Sequence, residues 1–234
     1  MKKHLSANSV LFSISCYHNS MIKTVIFDLD GTLLNTLDDL KDSTNFALSQ
    51  FGFPTRTLEE VRQFVGDGVK KLIERAVPAD CDEEITSKCL TIFKEHYSKN
   101  MYNHTKPYNG ILYALENLHN QGLKIAVVSN KFDSAVKELC TKYFSNLVDI
   151  AIGQADDVPK KPAPNGVFKA MKALNAEKIS SVYIGDSEVD VATAQNSGLP
   201  CIGVTWGFRD EKDLTGANVI INAPSELIPT IEGM

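Results

Sequence analysis

Long apolar runs are missing from this chain: nothing approaches the ~20 consecutive apolar residues that a bilayer-spanning helix needs, so no membrane association is expected. Cysteine and histidine are sparse, five of each in 234 residues. His4, His18, His96, His104 and His119 show no HxH or HExxH spacing, and no two cysteines form a CxxC pair, so zinc chemistry lacks its usual ligands. The odd, scattered set Cys16, Cys81, Cys89, Cys140 and Cys201 fits reduced thiols in a cytoplasm better than a disulfide framework. Positive charge is also in deficit, with 24 Lys and Arg against 29 Asp and Glu and a net charge of −5. An acidic body attracts neither nucleic acid nor an anionic membrane, which leaves a small ligand as the expected partner. Repeats and low-complexity stretches are absent.

Against those deficits, 43% of the residues are hydrophobic, enough to bury a sizeable core. Apolar runs bounded by polar or glycine-rich turns recur at Val25–Phe27, Ile125–Val128, Val148–Ile152, Val182–Ile184, Ile202–Val204 and Val219–Ile221. Their composition predicts buried strands. Helix-period stretches lie between them, with Ile111, Leu112, Leu115 and Leu118 on one face and Val167, Phe168, Met171 and Leu174 on another. Strand alternating with helix predicts an α/β fold, a Rossmann-like parallel sheet with helices on both faces. The segment 37–104 breaks the rhythm. It carries helical patterns such as Ile85, Cys89, Ile92, Phe93 and His96 but no convincing strand, and predicts an inserted all-helical cap on a core made of 21–36 and 105–234. Residues 1–20, with lysines followed by "VLFSIS" and Cys16, have too short and broken an apolar stretch for a working signal; a loosely attached N-terminal extension is expected.

The chemistry starts at "VIFDLDGTLLNT". A strand fit for burial ends in Asp28 and Asp30, and buried carboxylates require a cation, donors or a proton. Other strands end similarly: Ser129 and Asn130 after the second, Lys161 in "KKPAP" after the third, Asp186 and Asp190 in "GDSEVD" after the fourth. In a parallel sheet these ends share one edge. Asp28, Asp30 and Asp186 cannot all stay ionised there without a counter-ion, because two carboxylates about 4 Å apart repel by roughly 4 kcal/mol at an effective dielectric near 20. Oxygen ligands with no Cys or His nearby suit Mg²⁺. A carboxylate so held can attack an electrophile, and an aspartyl phosphate is the natural covalent intermediate. Ser129 and the amides around Asp30 and Asn130 are placed to donate to phosphoryl oxygens, and Gly31 lets the backbone turn sharply and approach the phosphate.

Singly, each signal has a plainer reading. Thr36–Asp39 and Ser187–Asp190 resemble helix-capping boxes with Asp in place of Glu. Ser129–Asn130 reads equally as a turn, and Lys161 as a solvated lysine. Gly66–Asp67–Gly68 reads as a helix entry, Lys70 and Lys71 as a solvated face, and Trp206 as packing at the site rim. The order and joint placement of the four motifs favour the site.

The ordered set "DLDGTLLNT", "VVSNK", "KKPAP" and "GDSEVD" resembles the four motifs of the haloacid dehalogenase superfamily, over Met21 to the C-terminus. The resemblance implies that Asp28 is the nucleophile and Asp30 the general acid/base, with Ser129 and Lys161 gripping the phosphoryl group. It also implies Mg²⁺ held by Asp28, Asp186 and the main-chain oxygen of Asp30, with Asp190 supporting the metal's water shell or Lys161. An acid at Asp30 indicates the phosphatase branch, since the dehalogenases lack it. Within that branch the chain is similar to bacterial phosphoglycolate phosphatases, in "FVGDGVKKLIERAV", "SNK", "QADDVPKKPAP" and "IGVTWGF"; Phe132 and Gln154 depart from that pattern. Gly66 and Lys70 are the cap positions expected to touch substrate. The resemblance implies a cytoplasmic enzyme, monomer or homodimer, that hydrolyses a small phosphorylated metabolite, 2-phosphoglycolate first among them. A pyrophosphatase or a β-phosphoglucomutase-like phosphotransferase would share the site, and a slow binding module is the reading from another class.

Overall fold

The computed structural model describes residues 22–234; the N-terminal extension expected over 1–20 lies outside the described residues. In chain order the elements are β1 (Thr24–Phe27), β2 (Leu34–Asn35), α1 (Leu37–Ser49), α2 (Leu58–Phe64), α3 (Val69–Ala76), α4 (Glu83–Asn100), β3 (Lys106–Pro107), α5 (Ile111–Asn120), β4 (Lys124–Phe132), α6 (Asp133–Phe144), β5 (Ile150–Gln154), α7 (Asn165–Leu174), β6 (Ser181–Gly185), α8 (Glu188–Ser197), β7 (Cys201–Val204), β8 (Val219–Ile221) and α9 (Leu227–Glu232).

Four buried residues, Thr-Val-Ile-Phe, make β1 the centre of the molecule. It pairs in parallel with β4 on one side and β6 on the other, and the six-stranded sheet runs β5-β4-β1-β6-β7-β8. Every pairing in it is parallel, which places all strand C-termini on one edge. Alternation along the strand divides the core. Val25 and Phe27 face one hydrophobic cluster, together with Leu115, Val136 and Ile184, while Ile26 faces a second with Ala126, Val167 and Tyr183. Helices therefore cover both faces, each fully buried Val, Ile or Phe contributing about 1.5–3 kcal/mol.

The chain leaves and re-enters the sheet through a two-stranded antiparallel ladder, with Leu34 opposite Pro107 and Asn35 opposite Lys106. Between those strands run α1 to α4, above the carboxyl edge. Their apolar faces, including Leu72, Phe93 and Tyr97, join the cluster under β1.

Three local expectations are corrected. The strand predicted at Val148–Ile152 spans Ile150–Gln154, because a 3-10 turn at Ser145–Leu147 delays its start. The strand predicted at Ile125–Val128 continues to Phe132, so Ser129 and Asn130 are strand residues and not a turn; an irregular register between Val128 and Phe132 lets them leave the β5 ladder. Leu112 and Phe168 lie outside the core, at 42% and 40% exposure, and the Phe168 ring is covered by Lys178, whose Nζ stands 4.7 Å from its centroid.

Candidate active site

After Phe27 the chain turns tightly. Leu33 N and Leu34 N both donate to Leu29 O, and Gly31 N donates to Leu34 O. Gly31 sits at φ +89°, and a Cβ there would collide with the carboxylate of Asp186. Glycine is thus required both by the left-handed backbone and by the closeness of β1 to the end of β6. This turn brings Asp28 and Asp186 together: carboxylate oxygens of Asp28, Asp186 and Asp190, all buried, lie within 4.8 Å of one another.

Asp190 has two duties. Its Oδ2 accepts from Ser187 N (3.1 Å) and Ser187 Oγ (2.6 Å), completing the capping box that starts α8. Its Oδ1 accepts from Lys161 Nζ (2.7 Å) and Tyr183 OH (3.0 Å). The capping box and the contact with Lys161 are made by different oxygens of one side chain. Lys161 Nζ also stands 2.7 Å from Asp28 Oδ1, an ion pair made inside the protein. Asp186 accepts from Thr32 Oγ1 (3.0 Å) and Phe208 N (2.7 Å).

Asp30 stands apart from this group. Its carboxylate accepts from Lys131 Nζ at 2.9 Å through both oxygens and from Thr36 Oγ1 at 2.7 Å. The capping box expected at Thr36–Asp39 is therefore not formed: the Thr36 hydroxyl is taken by Asp30, and α1 begins without a side-chain cap. Lys131 is buried, with its Nζ 4.6 Å from the centre of the Tyr97 ring of α4.

Ser129 Oγ accepts from Lys131 N at 3.3 Å, which leaves its O–H to donate into the cavity it lines. Asn130 lines the same cavity, with its side-chain amide taken up by backbone. Its amide clamps the backbone of Lys161 in both directions, at 2.7 and 3.1 Å, and donates to Gly66 O at 3.0 Å. Of the two cap positions expected to touch substrate, Gly66 lines the cavity with Val65, Gly68, Val69 and Leu72. Lys70 does not; its side chain is 71% exposed, 3.8 Å from Glu74, because one step along α3 from Val69 turns it away from the cavity. Gly68 is the N-cap of α3, so the helix entry is itself part of the cavity wall. Trp206 stays outside it and donates from Nε1 to Thr32 O, bracing the first turn.

Charge decides what this arrangement can hold. Among the described residues, the ion pairs of Asp28, Asp30, Asp186 and Asp190 are made by Lys131 and Lys161, two cations for four carboxyls. The cost falls on Asp28 and Asp186. Burial, reinforced by Asp190, pushes the Asp28 carboxyl up to about 7 despite Lys161. Burial, with Asp190 and Asp28 adding to it, holds Asp186 well above the carboxylate range. Burial works to lower the Lys161 ammonium, but Asp190 and Asp28 outweigh it and keep it charged. A dication between Asp28 and Asp186 would balance the remaining charge and keep both carboxyls ionised. With oxygen donors alone, the site fits a hard cation.

Lys131, Tyr183, Phe208 and Arg209 belong to the site without having been assigned a part from sequence. A lysine inside a strand is a usable signal, since burial there demands a carboxylate partner. Nothing local marks Arg209 or the Phe208 amide, which arrive from a loop after β7.

The site and the fold around it define the class. Residues 25–204 match the profile of haloacid dehalogenase-like hydrolases, and the chain belongs to that family. It is 30% identical to a phosphoglycolate phosphatase of Vibrio parahaemolyticus over 90% of this chain and 96% of that one. It is likewise 30% identical to a phosphoglycolate phosphatase of Aquifex aeolicus, over 80% and 86%. A crystal structure described as a candidate phosphoglycolate phosphatase from Lactobacillus delbrueckii subsp. bulgaricus superposes with TM-score 0.86 at 34% identity, over 92% of this chain and all of that one.

Proposed function

We propose that this enzyme is a Mg²⁺-dependent phosphatase that hydrolyses a small phosphomonoester, with 2-phosphoglycolate as its substrate, through an aspartyl phosphate on Asp28. The observation that carries the reading is the buried cluster of Asp28, Asp186 and Asp190 carboxylates with the Lys161 ammonium 2.7 Å from Asp28 Oδ1. The names of the relatives support the substrate class.

Asp28, Asp186 and the main-chain oxygen of Asp30 would hold Mg²⁺, which when bound keeps both carboxylates ionised and neutralises phosphoryl charge. A carboxylate oxygen of Asp28 attacks phosphorus, and the bond from phosphorus to the ester oxygen breaks with its electron pair. Asp30 protonates that oxygen, trading one of its contacts with Lys131 and Thr36 for the substrate. Asp30 then takes a proton from water, whose oxygen attacks phosphorus, and the bond to Asp28 breaks to release inorganic phosphate. Lys161 and the Ser129 hydroxyl bind phosphoryl oxygens throughout. The helical segment 37–104 acts as a cap on the core formed by 21–36 and 105–234, walling water out of the reaction. Unpaired thiols at Cys81, Cys89, Cys140 and Cys201 support a reducing, cytoplasmic compartment.

The test is phosphate release by the full chain with MgCl₂ from 2-phosphoglycolate, pyrophosphate and β-glucose 1-phosphate. Orthophosphate from 2-phosphoglycolate above the other two is expected. Isomerised sugar phosphate without net release would establish the transferase instead, and no turnover of any would overturn both.

A further inference from the structure

Four carbonyls of the cap, from the last turn of α2 to Asp67, are each taken by a core side chain. Arg209 donates from Nη1 to Arg62 O at 2.9 Å and from Nη2 to Val65 O at 2.6 Å. Asn130 Nδ2 reaches Gly66 O at 3.0 Å, and Lys160 Nζ reaches Asp67 O at 3.1 Å. In the opposite direction Arg62 donates from Nε to Phe208 O at 2.6 Å and from Nη2 to Asp210 Oδ1 at 2.8 Å. Arg62 O belongs to the last turn of α2, where carbonyls lack helical partners and favour a cation.

Arg209 is built for this place. Its side chain is 14% exposed and is held on its third side by Glu188 Oε2 at 3.2 Å. Gly66 lies at φ +115°, and a Cβ there would stand 3.2 Å from Arg209 Nη2, so the approach depends on glycine. The segment so gripped is the cavity wall formed by Val65, Gly66, Gly68 and Val69. The preceding residue, Phe208, donates its N–H to Asp186. One short loop thus touches both the candidate metal carboxylate and the cap.

We propose that Arg209 is a positioning residue that sets substrate size: by latching the Arg62 and Val65 carbonyls it holds the cap wall against the leaving-group space. This rests on the reading of the cavity as a phosphate-ester site. Losing the latch lets the wall move outward, which removes the fit to a small leaving group and admits a larger one.

The test uses the full chain as Arg209→Ala, Arg209→Lys and Arg209→Gln. Without substrate, amide hydrogen exchange over residues 61–69 is expected to be about tenfold faster or more in Arg209→Ala, from loss of two charge-assisted bonds, with β1 and β4 unchanged. With Mg²⁺, the ratio of kcat/KM for 2-phosphoglycolate over glucose 6-phosphate is expected to fall about tenfold or more in Arg209→Ala and to recover in part in Arg209→Lys. Unchanged exchange, or a ratio within about twofold of wild type, overturns the latch. Should Arg209→Ala not fold, Arg209→Gln, which loses the charge and cannot span both carbonyls, decides on the same two readouts. Should the wild type cleave neither ester, the phosphatase reading falls and exchange alone decides the latch.

Discussion

Asp28 is under two opposed demands: burial pushes its carboxyl up to about 7, while a nucleophile must be ionised. A carboxyl raised by folding contributes stability below its ordinary value near 3.8, and that contribution is lost as pH climbs through the folded value. Metal-free protein is therefore expected to lose stability between about pH 4 and 7. Asp28→Asn removes the penalty, and Lys161 keeps Asp190 as its partner. In EDTA the variant is expected to melt several degrees above wild type at about pH 8 and level with it at about pH 4, while turnover is abolished. Equal melting temperatures at both pH values would refute the charge ledger. Asp30→Asn keeps the acceptor oxygen for Lys131 but cannot give up a proton, so a loss of roughly 10²–10⁴-fold in kcat is expected; wild-type rates would show another group to be the acid.

Among the elements, one side chain reinforces the joint between sheet and cap beside the β2–β3 ladder. Asp39, in the first turn of α1 and buried, accepts from His104 N at 2.9 Å and Thr105 N at 2.9 Å. It ties the outgoing strand of chain to the returning one beside the β2–β3 ladder. Asp39→Ala strands those two amides, at a cost of about 2–4 kcal/mol, and thermal melts should drop by on the order of 5–10 °C. The two capping boxes expected from sequence show what element-level patterns leave out. Ser187–Asp190 forms its box because neighbouring Oδ1 satisfies Lys161 without disturbing Oδ2. Thr36–Asp39 has the same local pattern, but tertiary partners claim both ends: Thr36 goes to Asp30 and Asp39 to the returning chain.

Over the whole molecule, burial also governs the thiols. It raises Cys89 to about 11 and Cys140 and Cys201 to about 12, and the thiolate is the reactive form. In a Cys16→Ser background, a thiol reagent at about pH 8 should therefore modify partly exposed Cys81 first, with the other three reacting only on unfolding. Rapid labelling of all four would contradict the packing of both clusters. No helix among the described residues is long and apolar enough to cross a membrane.

What the sequence by itself determined was the alternation of apolar strands and amphipathic helices, hence the parallel sheet, and the four motifs that a parallel sheet must deliver to one edge. Period and order are local properties, and they suffice for that much. Only the tertiary structure decided which polar groups meet: Asp190 with Lys161, Asp30 with Lys131 rather than with the Asp28–Asp186 pair, the Asn130 amide with the backbone of Lys161 and Gly66, and Arg209 with the cap. Such pairings join residues up to 147 positions apart, and nothing in chain order carries them. They follow from desolvation, which leaves each buried charge to find whatever partner the packed elements bring within reach.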